Sequence, residues 1–265
     1  MTKDISWLGE NEAGRNWDEV FALFYQKGRG EIFPNELKFW RDLCAGRENV
    51  LEIGAGSGFI AEALTDIGIK QLTLIEPEPA NLRFLDKVAG KSAQGTRVTV
   101  APVVFQKYSA PAGMLQDVIY MSWDNLVMFK DLESRTGLFK KAAGELKPGG
   151  RFAFHISSPA WNRKVYEKLR TPKVFDMDLD QYGKAGILYK IDHVRDNVYN
   201  KHIVITLPSG EEHRYLLPTE AISMEEVSGH ARAFGLELEK DHADYSGSPA
   251  SADSDDHVLV YKKRG

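Results

Sequence analysis

The chain is 265 residues long, 43% hydrophobic, and carries a net charge of −4. That hydrophobic fraction supports a sizeable core and excludes a disordered chain; the length suits one α/β domain with an elaboration. The near-neutral balance, with no dense Lys/Arg run, lacks the basic footprint of a dedicated nucleic-acid binder, so nucleic acid is not the expected partner.

Cys44 is the only cysteine, which rules out a disulfide framework or a cysteine-based metal site within one chain. Its expected role is that of a small buried apolar residue. The polar stretch 1–14 has no apolar core of a signal peptide. No apolar run approaches the roughly 18 residues of a membrane span. No membrane partner is expected, and the expected location is the cytoplasm.

Residues 15–45 read as helical. Trp17, Val20, Phe21, Phe24 and Tyr25, then Leu37, Phe39, Trp40 and Leu43, recur at helical spacing. Segment 28–35 breaks that pattern, with Pro34 as a candidate helix start. Strand and helix signals then alternate. Strands are predicted at 49–53, 72–75, 98–104, 117–121 and 151–156, and helices at 59–67, 80–88 and 132–146. Lys147-Pro148-Gly149-Gly150 suits a type II turn. Such alternation implies a parallel sheet with helices on both faces.

The pattern changes after Pro159. A short helix is predicted at 160–169. Runs 187–195, 201–207 and 211–217, separated by Asp196-Asn197 and Pro208-Ser209-Gly210, read as an antiparallel meander. A helix over 219–234, with Thr219 as N-cap candidate, precedes strands at 236–240 and 257–262. The expected fold class is α/β: a doubly wound, mostly parallel seven-stranded sheet with N-terminal helices and an inserted antiparallel β meander. The expected organisation is a helical cap over 1–45, a cofactor-binding core over 46–160 and 218–265, and an insertion over 161–217.

The stretch VLEIGAGSGFI (50–60) is the most informative. An apolar strand runs into three glycines at alternate positions, Gly54, Gly56 and Gly58, and a helix starts at Phe59. Glycines permit a tight turn and let a ligand approach the backbone. The helix N-terminus adds free N–H groups and partial positive charge. This is the pattern of a nucleotide-cofactor site at the carboxyl end of a parallel strand. The dinucleotide fingerprint is G-x-G-x-x-G; the spacing here is G-x-G-x-G, suited to a ligand that needs no diphosphate cradle. Glu76 ends the second strand, where a carboxylate can accept hydrogen bonds from ribose hydroxyls.

Through VLEIGAGSG (50–58), LIEPEP (74–79), DVIYMSW (117–123) and ELKPGGRFAF (145–154), the chain resembles the class I, seven-stranded S-adenosylmethionine-dependent methyltransferases. Its last helix and strand pair, with DYSGSP at 244–249, is similar to many small-molecule members. The resemblance implies S-adenosyl-L-methionine as cofactor and S-adenosyl-L-homocysteine as product. It also implies methyl transfer to N or O of a small metabolite. By that resemblance Glu52, Gly54, Ala55, Gly56, Gly58, Glu76 and Pro77 form the cofactor cradle, with Tyr25 and Ser122 as further contacts. Relatives often place an acidic residue after the third strand for the adenine amino group. Here the stretch is Ala101-Pro102-Val103-Val104-Phe105, so Pro102 and Val103 are positional candidates only.

A sulfonium methyl is already activated, so the protein mainly aligns nucleophile, methyl carbon and sulfur. A base is needed only for a nucleophile that must lose a proton. Strand ends place Ser122, Trp123, Asp124 and Asn125, with His155, Ser157 and Ser158, beside the reacting end. Asp124 and His155 are the candidate catalytic residues. A helix N-cap competes for Asp124 and Asn125, and a satisfied core histidine is the other reading of His155. Trp123, Asn125, Tyr189, Arg195 and Tyr215 are substrate-contact candidates. Alternation puts Tyr189, His193 and Arg195 on one strand face, with a solvated charge as the competing role of Arg195. No histidine spacing matches a metal motif such as HExxH, and no metal is expected. The insertion reads as a substrate lid or a homodimer surface. RNA or protein methylation, an NAD-dependent oxidoreductase and a non-catalytic S-adenosylmethionine-binding protein are the competing functions.

Overall fold

A computed structural model describes residues 18–29, 35–91, 95–129, 131–195 and 197–265. Trp17, Pro34 and Asp196 lie outside the described residues. Two helices come first, α1 (Glu19–Arg29) and α2 (Glu36–Cys44). Asp18 opens α1 by accepting the Phe21 N–H at 3.0 Å, satisfying one of the free donors of a first turn. Val20, Phe21 and Leu23 form its buried side.

The alternating region folds as β1 (Asn49–Ile53), α3 (Phe59–Leu64), β2 (Gln71–Ile75), α4 (Pro79–Lys91), β3 (Arg97–Ala101), β4 (Gln116–Met121), α5 (Leu132–Glu145) and β5 (Leu146–Ser157). Together with β10 (Leu236–His242) and β11 (Asp256–Lys263) these strands form a seven-stranded sheet ordered β10-β11-β5-β4-β1-β2-β3. The five strands from β3 to β5 run parallel. Only β11 runs against its neighbours. β1 and β2 are buried almost throughout, as strands covered on both faces must be. Leu51, Ile53, Phe152 and Phe154 fill one face, and Val50, Leu72, Tyr120 and Val260 the other.

The insertion is larger than the sequence suggests. After α6 (Pro159–Lys168) comes a four-stranded antiparallel sheet, β6 (Lys173–Asp178), β7 (Lys184–Arg195), β8 (Val198–Thr206) and β9 (Glu212–Glu220). β6 was not expected. It is an edge strand with Val174 and other residues exposed, so its apolar signal is weak. The proposed boundary at 217/218 therefore falls inside β9. The expected N-cap at Thr219 is also displaced: Thr219 lies in β9, and Ser223 caps α7 (Met224–Ala233) through Glu226 N at 3.1 Å. The third strand stops at Ala101, three residues early. β5 begins at Leu146 rather than 151, with its register interrupted between Gln116 and Val118 of the partner β4; Gly149 still takes the positive φ of 76° that the turn reading requires.

The inner face of this second sheet packs on α1 through Ile187, Ile203, Ile205, Tyr215 and Leu217. The Tyr215 hydroxyl donates to Asp18 Oδ1 at 2.5 Å, tying β9 to the entry of α1. The second sheet thus forms a roof facing the carboxyl edge of the first. No helix among the described residues is long and apolar enough to cross a membrane.

Candidate active site

Between edge and roof lies a cavity of about 1300 Å³. Its floor follows from the backbone. Gly54, Gly56 and Gly58 adopt φ of 71°, 56° and 82°, values that side chains with a Cβ rarely take. The three positions do different work. A Cβ on Gly54 would meet Asn125 Nδ2 at 2.9 Å, and that same nitrogen donates to Gly54 O at 3.2 Å. A Cβ on Gly58 would lie 2.9 Å from both Leu85 and Val88 of α4, so Gly58 serves helix packing and does not line the cavity. A Cβ on Gly56 would meet no protein atom within 4 Å; it would point into space that a ligand can use.

Glu76 closes this floor. One carboxylate oxygen accepts Gly56 N–H at 2.7 Å, the other Glu78 N–H at 2.9 Å. Burial raises its pKa, and the bonds from Glu78, Gly56 and Asn81 work against that rise. A buried carboxylate bonded to the glycine loop, beside an open Gly56, fits a ribose-bearing cofactor. Pro77 lines the cavity beside it. Glu52 and Ala55 do not. Glu52, Ala55 and Ser122 are all buried, with Glu52 accepting from Ser122 Oγ at 3.4 Å, and none of the three, Ser122 included, lines the cavity as the resemblance implied. Pro102 and Val103 also fall outside the lining. Because β3 ends early, the wall after it is formed by Val104, Phe105 and Gln106.

The loop after β4 lines the next part of the cavity through Trp123, Asp124 and Asn125. Trp123 and Asp124 both adopt left-handed backbone, at φ 50° and 51°. Two consecutive residues of this kind cost on the order of 1–3 kcal/mol each unless their surroundings hold them. Here they are held. Asp124 N–H donates to His155 Nδ1 at 3.1 Å, Asp124 Oδ1 accepts Ser157 N–H at 3.3 Å, and Trp123 meets the Tyr25 ring at 4.9 Å between centroids. Asp124 occupies the N-cap position of a short 3-10 turn without a side-chain cap bond, so the capping reading does not hold.

The two catalytic candidates separate. Since His155 Nδ1 accepts a hydrogen bond, it carries no proton. The proton sits on Nε2, which donates to Asp256 Oδ1 at 3.0 Å. Asp256 also accepts from Ser157 Oγ at 2.8 Å. Burial pushes the Asp256 carboxyl up, but the bonds from His155 and Ser157 outweigh it and hold it below the usual range. Both nitrogens of His155 are therefore committed to holding the loop. Asp124 behaves differently: burial lifts its pKa to about 6, against the lowering effect of the Lys201 charge and the Ser157 N–H. A carboxylate that titrates near neutrality and lines a cavity has the properties of a proton acceptor.

The roof contributes side chains. Tyr189, Ile191, Lys201, Leu217 and Thr219 line it, joined by Trp161, Asn162 and Tyr166 of α6. Among the described residues, Asn162 Oδ1 and Thr219 Oγ1 are buried without a hydrogen-bond partner, which in a cavity marks groups for a ligand. Two substrate candidates move away. Arg195 is exposed, at the end of β7 where His193 and Val194 are exposed as well. Tyr215 is held by Asp18 and packs on Phe21 at 4.3 Å. Of the residues that sequence reasoning missed, Lys201 had a visible signal: Tyr199, Lys201, Ile203 and Ile205 alternate along β8, and one lysine interrupts an otherwise apolar face. Cys44 is fully buried, and burial raises its thiol pKa. No metal-binding cluster occurs among the described residues.

Residues 51–154 match the family described as "Methyltransferase domain". No curated protein matches the chain. Among solved structures, the CcbJ methyltransferase from Streptomyces caelestis is 21% identical with a TM-score of 0.70, covering 94% of this chain and 100% of its own. An S-adenosylmethionine-dependent methyltransferase from Clostridium acetobutylicum is 17% identical with a TM-score of 0.75, at 92% and 98% coverage. A sugar N-methyltransferase from a Streptoalloteichus species is 17% identical with a TM-score of 0.68, at 96% and 97%. At these identities the likeness is one of fold.

Proposed function

We propose that this chain, whose residues 51–154 match a methyltransferase domain, is a class I, S-adenosylmethionine-dependent methyltransferase that methylates N or O of a small metabolite held between the two sheets. The observation that carries this reading is the continuity of the cavity. The open glycine loop, the strained Trp123-Asp124 loop and the roof line one space of about 1300 Å³, a size and enclosure suited to a cofactor with a small acceptor.

Gly54, Gly56, Glu76 and the wall at Val104–Gln106 would hold the cofactor, with Tyr25 on the side of α1. When bound, it supplies an activated methyl group on a sulfonium, open to in-line displacement by a nucleophile. The remaining work belongs to the chain. Tyr25, Trp123, Trp161 and Ile191 exclude water from the reacting region. Asn162 and Thr219 orient the acceptor through polar atoms that otherwise lack partners. Asp124 takes the proton that an O–H or ammonium acceptor must lose; with a pKa of about 6 it is ionised at neutral pH and close enough to the ambient pH to share a proton. His155 and Asp256 hold Asp124 in place. In this reading the inserted sheet is a lid.

The test is incubation with S-adenosylmethionine carrying a deuterated methyl, separately with a small-metabolite extract and an RNA fraction, read by mass spectrometry. Label in a small molecule is the expected result. Label in RNA alone would overturn the substrate assignment.

A further inference from the structure

Lys201 stands at the centre of the roof. Its neighbours across the ladder are Ile191 on β7 and Leu217 on β9, and all three line the cavity. An aliphatic residue would complete this face, as Ile203 and Ile205 do two and four positions on. The chain instead presents an ammonium, partly buried among Tyr25, Tyr166 and Tyr189, with Nζ 5.7 Å from the Tyr166 ring centroid. Among the described residues it makes no hydrogen bond or ion pair. The carboxylate that acts on it, Asp124, lies beyond ion-pair distance and is engaged by Ser157 N–H.

Withdrawing an ammonium from water is costly unless it is paired. An unpaired one on an apolar sheet face adds nothing to folding that Ile or Leu would not supply better. Burial works against the Lys201 charge, and the nearby Asp124 carboxylate supports it, as does the face of the Tyr166 ring. The cation thus faces the ligand space with no ion-pair partner among the described residues.

We propose that Lys201 is the receptor for an anionic group, a carboxylate or phosphate, on the methyl acceptor, so that the substrate is an acid. This rests on the methyltransferase reading above and names its substrate class. Ligand and lysine would form a charge-assisted pair of the strong kind, since the cavity is lined largely by apolar and aromatic groups. The same charge disfavours an ammonium beside it, so an amine on such an acceptor is held in the form whose lone pair can attack. The cofactor's own methionyl carboxylate is the other source of the same chemistry, and the test separates the two.

The full chain, K201M and K201R are incubated with deuterated-methyl S-adenosylmethionine and a metabolite extract, and the labelled product is identified by mass spectrometry. Its unlabelled precursor is then used for kinetics, and S-adenosylhomocysteine affinity is measured by calorimetry. The expected product carries a carboxylate or phosphate. K201M should raise KM for its precursor at least about tenfold, with kcat within about threefold, as for a lost charged hydrogen bond, and K201R should recover most of the loss. S-adenosylhomocysteine affinity should stay within about twofold of the parent. A labelled product with no acidic group, or an unchanged KM in K201M, overturns the proposal and leaves methyl transfer to a small molecule standing. Loss of S-adenosylhomocysteine affinity in K201M moves the anion to the cofactor and overturns the substrate assignment. No label in any small molecule, with S-adenosylhomocysteine still bound, overturns the proposed function itself and this inference with it.

Discussion

The floor and the roof of the cavity enclose the same space but are built by opposite means. The floor is made of backbone. Its glycines and the closing carboxylate of Glu76, which accepts the Gly56 N–H, form a cradle in which few side chains matter. The roof is made of side chains on a regular sheet whose backbone groups are consumed by the β6-β7-β8-β9 ladders. Substitutions in the floor should therefore act through sterics and conformation. Those in the roof, and in the loop that faces it, should act through chemistry.

The largest expected effect tests the chemical side. Asp124→Asn should lower kcat by on the order of a hundredfold or more, the usual contribution of a positioned acid or base. The parent's kcat/KM should rise with pH through about 6 and then level, because the ionised form is the acceptor. An unchanged profile in Asp124→Asn would remove Asp124 from proton transfer. The stability sign is opposite. A carboxyl whose folded pKa lies above its unfolded value of about 3.9 favours the fold when protonated. The parent should thus lose on the order of 2 kcal/mol as pH rises from about 4 to 7, and the variant should not, as denaturant titrations at both pH values would reveal.

Next comes a contrast within the floor. Gly58→Val forces a β-branched residue to φ 82° and against Leu85 and Val88, which should cost about 3 kcal/mol of stability. At Gly56 the added Cβ meets no protein atom within 4 Å. Gly56→Val should keep more of its fold and lose S-adenosylhomocysteine binding. Equal thermal shifts in the two variants, with binding retained in both, would mean that the two glycines do not divide the work as described.

Glu76→Ala should weaken cofactor binding by on the order of 1–3 kcal/mol, as for a lost charge-assisted hydrogen bond; unchanged calorimetric affinity would sink the ribose assignment. The smallest effect belongs to His155→Asn. Losing the strut between Asp124 and Asp256 should cost about 1–2 kcal/mol of stability. The acid limb of the pH–rate profile should remain, and its disappearance would return His155 to the list of bases.

These differences explain what could be read early. The glycine loop was legible because a turn with positive φ leaves few residue choices, and Glu76 because its spacing follows from one βαβ unit. Asp124 was legible as a strand-end residue, but the engagement of both His155 nitrogens was not, since that depends on partners in the loop after β4 and on β11. Arg195 and Tyr215 were misassigned for two further reasons. Alternation along a strand does not reveal where its end leaves the core, as at His193–Arg195, and a tyrosine's partner can lie 197 positions away, as Asp18 does.

The sequence by itself determined the α/β class, the cofactor edge and most element positions, because these depend on local backbone requirements and on hydrophobic period. Only the tertiary structure decided which face of the inserted sheet turns inward, and so which side chains line the cavity. It also decided that Lys201 points into the cavity while Arg195 remains outside. A strand's pattern separates its two faces without saying which one the rest of the chain will cover.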